Sequence, residues 1–193
     1  MRSTDGNDQS RTGFEPSDFF RSFLGTVRAV IVAPTAFFGD LDRQRSSGSA
    51  VLFGVICAVI NILLLYAAAP VDSWIRGETN PAADRFDWIF LALSPLFAWI
   101  GLYLIAAVQH LCVRVFVRPR KGFDATLRVS AYASAVALLS WVPIVGYLAS
   151  LYGLYVTMLG IRALHETTTK RASLAMLVPL LIFVASVVWT LWP

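Results

Sequence analysis

Charge is scarce in this chain of 193 residues: Asp, Glu, Lys and Arg together make up 15% of it, against about 25% in an ordinary soluble domain. Apolar residues make up 57%, more than a water-soluble core needs. They fall in runs approaching the ~20 residues required to cross a ~30 Å hydrocarbon layer, so the bilayer is the expected solvent. Only two cysteines are present, Cys57 and Cys112, both inside apolar runs. Such thiols behave as small buried hydrophobes, and neither a disulfide nor a metal site is expected of them. Histidine is equally sparse, at His110 and His165. Both lie near helix ends, where a hydrogen-bonded or cationic imidazole has a structural use.

The motifs of catalysis are missing as well. There is no G-x-S-x-G, no phosphate-binding glycine loop and no H-E-x-x-H, since His165-Glu166 is followed by three threonines. No enzyme activity and no cofactor are expected. The formal charge of +4 does not suggest nucleic acid, because the basic residues sit between apolar runs and not in a stripe with interleaved aromatics.

The runs lack the period-2 alternation of barrel strands, so the fold class is all-α: a polytopic membrane helix bundle of about five transmembrane helices. Residues 1–16 read as a disordered polar tail, with no signal-peptide pattern. Residues 17–49 hold an amphipathic helix and a connecting segment. Ser17 is its expected N-cap, with Phe19, Phe20, Phe23, Leu24, Val27, Val30 and Ile31 on one side and Arg21, Ser22 and Arg28 on the other. Such a helix either lies in the membrane interface or packs on the bundle.

The bundle proper takes residues 50–193, with spans at about 50–69, 88–113, 124–142, 144–164 and 174–192. Span one stops at Pro70, followed by a polar loop to Asp87. Span two tolerates Pro95 as a kink, and Asp124 is the expected N-cap of span three. Residues 124–164 must be divided, because about 41 helical residues would reach about 60 Å. Pro143 and Gly146 are the strong breakers there and imply a tight hairpin. Span five is interrupted only by Pro179.

With five spans and the N-terminus inside, fourteen of the sixteen Lys and Arg lie on the cytoplasmic side, which fixes the expected orientation with the C-terminus outside. Arg114, Arg118, Arg120, Lys121 and Arg128 share that side with Arg162, Lys170 and Arg171. Together they form a candidate surface for anionic lipids or for a protein partner, or serve orientation alone. The span centres hold no Asp, Glu, Lys or Arg. Asn61, Gln109, Ser130, Ser134, Ser140 and Thr157 read as interhelical hydrogen-bond donors and acceptors, with small residues allowing close approach. Self-association as a homo-oligomer is compatible with these surfaces.

Ser130-Ala-Tyr132-Ala, the break Trp141-Val-Pro143-Ile-Val-Gly146 and the exit Leu159-Gly160-Ile-Arg162-Ala-Leu-His165 stand in this order after a basic connection. The chain thereby resembles the Yip1 domain family from about Pro34 to the last span. The resemblance implies a five-span domain with a cytosolic N-terminus and no catalytic activity. Tyr132, Pro143, Gly146 and Gly160 are the expected structural residues of the hairpin, and no functional residue is carried over from the family. Eukaryotic relatives act in vesicle trafficking with prenylated Rab GTPases, and bacterial ones are of undefined function. The Asp-Leu-Tyr-Gly-Pro signature of eukaryotic members is absent, and the short tail and loops resemble a bacterial inner-membrane member. The expectation is a non-enzymatic scaffold or adaptor, the alternative a small transporter or channel.

Overall fold

A computed structural model describes residues 13–41, 47–77, 88–117, 121–142 and 145–191. Among them are eight α-helices and no strand: α1 (Phe19–Val32), α2 (Pro34–Asp40), α3 (Ser47–Arg76), α4 (Trp88–Phe116), α5 (Phe123–Ala133), α6 (Val145–Leu164), α7 (Thr169–Ala175) and α8 (Leu177–Leu191). Three are long and apolar enough to cross a membrane, over Ser47–Pro70, Ile89–Phe116 and Val145–Leu164. Two bent pairs, α1 with α2 and α7 with α8, raise the count to as many as five.

The α1–α2 pair bends by 119° at Ala33. Its two ends meet one aromatic layer: Phe14 lies 5.7 Å from Phe53, Phe53 5.5 Å from Tyr132, and Tyr132 5.0 Å from Phe37. The chain therefore leaves this layer and returns to it. Tyr152 holds the turn by donating its hydroxyl to the Ile31 carbonyl at 2.6 Å. Phe14, assigned to the polar tail by composition, is fully buried. Ser17 is no cap, because residues Pro16–Asp18 form a 3-10 turn and Ser22 Oγ accepts from the Glu15 amide. The apolar side of α1 is split between two environments. Phe23 and Val30 face the bundle, while Phe20 is 79% exposed beside Arg21.

Prolines act as their chemistry requires, with corrections to the expected boundaries. The apolar span does end at Pro70, yet the helix runs on to Arg76, because one proline removes one amide bond and leaves the next turn intact. Gly77, at φ +67°, then closes it in the left-handed region that glycine adopts freely. Inside α4, Pro95 leaves the Leu91 carbonyl without its helical amide, and the buried Ser94 hydroxyl takes that place at 2.8 Å. In the last span the break falls at Met176, not at Pro179. The ring of Pro179 crowds the carbonyl four residues back, at Ala175, which is where α7 stops, and the axis turns by 40°.

The expected span three differs most. It is an 11-residue α-helix, α5, followed by a 3-10 segment at Ser134–Leu139. Hydroxyls along it bond backbone carbonyls, Ser134 to Ser130 O and Ser140 to Ala137 O, which competes with regular α-helix. Asp124 does not cap it either. The helix begins at Phe123, and the Asp124 carboxylate instead accepts the Ser47 hydroxyl, tying the starts of α3 and α5 together.

Candidate functional site at the basic end of the bundle

The end of α4, the start of α5 and the α6–α7 corner converge on one threonine. Thr126, fully buried on α5, has its Oγ1 2.9 Å from His110 Nδ1 and 3.1 Å from His165 Nε2. A hydroxyl carries a single proton, so it donates to one imidazole at most and accepts from the other. One turn along, Ser130 donates to Gln109 Oε1 at 2.7 Å, a second bridge between α4 and α5. Three helical segments are thus pinned by side chains in a region where unpaired polar atoms are costly. Phe123 presents its ring edge-on to His110 at 5.6 Å and screens it.

His165 is 1% exposed and its Nδ1 has no hydrogen-bond partner among the described residues. Burial first, and His110 beside it second, push its pKa down to about 4, so the ring is neutral at neutral pH. The next residue, Glu166, has φ +52°, a left-handed conformation that non-glycine residues rarely hold. Its carboxylate lies 3.8 Å from Lys121 Nζ.

Around these bridges lie exposed basic residues from the same elements: Arg114 at the end of α4, Lys121 before α5, Arg162 at the end of α6, Lys170 and Arg171 on α7. Arg162 reaches Thr169 Oγ1 at 3.4 Å. Arg128, assigned to this surface by its place in a basic connection, is not on it. It is 3% exposed, because α5 begins at Phe123 and places residue 128 on a face enclosed by the bundle. Arg118 and Arg120 lie outside the described residues, as does Pro143 of the hairpin.

The remaining hairpin residues are close-packing points. Tyr132 is fully buried between Phe37 and Phe53. A Cβ on Gly160 would stand 2.6 Å from Val129 Cγ1, and one on Gly146 2.6 Å from the Ser140 carbonyl oxygen. Asn61 on α3 donates to Ala137 O at 2.6 Å and lies 2.7 Å from Ser140 Oγ, which satisfies the end of the 3-10 segment. No group of three His, Cys, Asp or Glu suited to a metal occurs among the described residues.

The family model described as the Yip1 domain matches residues 28–190, from the second half of α1 to the end of α8. The chain belongs to the Yip1 domain family. It is a multi-pass membrane protein of that family, and the match takes in every residue of the histidine–threonine bridge. The first half of α1, with Arg21, lies outside the match. No curated protein and no solved structure matches the chain.

The sequence placed both histidines at helix ends and Gln109 and Ser130 among interhelical polar residues. It missed Thr126, whose only signal is its spacing of four from Ser130, one turn along the same helix face.

Proposed function

We propose that this Yip1-family chain is a non-enzymatic scaffold or adaptor of the cell inner membrane, with its N-terminus and basic end in the cytoplasm. The observation that carries the reading is the gathering of Arg114, Lys121, Arg162, Lys170 and Arg171 on exposed positions of one end, held in register by the buried bridges. Lys and Arg collect on the cytoplasmic side of membrane proteins, and a fixed array of cations steers an acidic partner. The same end suits anionic headgroups, at about 1 kcal/mol for each cation near a charged leaflet.

Orientation is tested with single cysteines in a chain lacking Cys57 and Cys112. An impermeant thiol reagent added to intact cells labels Asn80→Cys and Pro193→Cys but not Lys121→Cys or Thr168→Cys. The opposite pattern reverses the topology. The adaptor role is tested by purification in mild detergent beside a flux assay in liposomes. A stoichiometric acidic partner, lost in Arg118→Gln/Arg120→Gln/Lys121→Gln with insertion unchanged, supports it. Saturable solute flux by the purified chain without a partner replaces it with a transporter.

A further inference from the structure

We propose that the His110–Thr126–His165 bridge is a proton-binding latch that holds the α6–α7 corner shut at neutral pH and releases it in acid. The geometry carries this independently of the adaptor reading. Thr126 satisfies one nitrogen of His165, and the other, Nδ1, faces no acceptor among the described residues while the ring is 1% exposed. A neutral ring tolerates this, because either tautomer leaves only one weak polar atom unmet. A protonated ring carries N–H on both nitrogens, and the one at Nδ1 then has nothing to donate to. Water reaches it only if the corner moves away from α5.

The charged and titratable groups nearby offer no compensation. From α4 come His110 itself and, one turn on, Arg114; from α5 come the buried Arg128 and, at its exposed start, Asp124, which is engaged by Ser47. The corner contributes Arg162, Glu166 and Lys170, with Glu166 turned outward toward Lys121. The second imidazole, His110, opposes a cation at this place. The corner is also where the backbone is least at ease, since Glu166 sits at φ +52° directly after the buried ring. Beyond it, α7 packs on α4 and α6 through Ala172 and Ala175, so release of the corner loosens α7 and changes where α8 begins.

The direction of the pH effect follows from linkage. His165 takes a proton near 6.5 when the corner is open and only near about 4 when it is shut. The shut form is therefore fully favoured above 6.5, and its ratio to the open form falls about tenfold for each pH unit from there down to about 4.

Hydrogen exchange on the full chain in lipid nanodiscs tests this. Protection of the amides of residues 164–172, corrected for the intrinsic effect of pH, is compared at about pH 7 and about pH 5. The expected result is a loss of protection of ten-fold or more in the parent and a flat response in His165→Gln, whose side-chain amide still meets Thr126. Equal responses in the two proteins, or none in the parent, overturn the proposal. Should His165→Gln fail to accumulate, ring NMR of the parent decides the matter. An imidazole that titrates near 6.5 while the corner amides stay protected overturns the latch, and one whose protonation at lower pH coincides with their loss of protection supports it.

Discussion

Around Tyr132, helices meet backbone to backbone, whereas α8 and the first half of α4 turn almost every large apolar side chain outward. A Cβ on Gly54 would stand 3.0 Å from Ala131 Cα, and Gly160 fits against Val129 and Phe38. On α8, Leu181, Ile182, Val184 and Val188 are exposed and Trp189 is 86% exposed. Both regions are apolar, yet only the first is specified by shape. In a bilayer, lipid tails solvate side chains as well as another helix does, so burial alone does not bring helices together. Small residues and polar pairs do, and they gather where α3, α5, the 3-10 segment and α6 meet.

The sharpest way to break this contrast is to add bulk at the close approaches. Gly160→Leu drives a side chain into Val129, which has no space to yield in a fully buried site, and a loss of about 3 kcal/mol or more is expected. The measurement is thermal unfolding of the purified chain. Gly146→Ala meets a backbone carbonyl and not a movable side-chain tip, with an expected cost of about 1–3 kcal/mol. Gly101→Ala, on α4 with nothing within 4 Å, is the matched control and leaves stability unchanged or slightly raised. Equal losses at Gly160 and Gly101 would mean that the packing contrast is not real.

Asn61 marks the boundary between the two regions, being 7% exposed near the midpoint of α3 and bonded to the end of the hairpin. Asn61→Leu leaves the Ala137 carbonyl to its Ser140 partner alone and frees the hairpin tip from α3. The expected cost is about 1–2 kcal/mol, with faster proteolysis between residues 139 and 147 as the local readout. A change confined to global stability, with no local opening, would assign Asn61 to packing alone.

The all-α class and the presence of several apolar membrane helices were legible because both rest on a one-dimensional signal, the length and period of the apolar runs. What was not legible depends on neighbours distant in the chain. Arg128 looked like a member of the basic connection, since sequence cannot show which face of the helix after Gly122 the bundle encloses. Phe14 looked like part of a polar tail because its ring partners, Phe19 and Phe23 apart, include Phe53 on another helix. The 3-10 segment was hidden because the serines that shape it read equally well as interhelical contacts.

The smallest expected effect lies in the loosely packed half, at Ser94. Its hydroxyl replaces the amide that Pro95 lacks, by bonding Leu91 O at 2.8 Å, and it is buried although its neighbours are exposed. Ser94→Ala leaves that carbonyl without a donor in an apolar setting, yet the helix relaxes by opening its kink toward lipid, which nothing on that side resists. A loss of about 0.5–1 kcal/mol follows, well below the Gly160 effect. Combining Ser94→Ala with Pro95→Ala restores an ordinary amide donor to Leu91 and removes the need for the hydroxyl. The double variant should therefore recover parental stability or exceed it. A double variant as weak as Ser94→Ala would show that Ser94 contributes through contact with α3 and not through the proline.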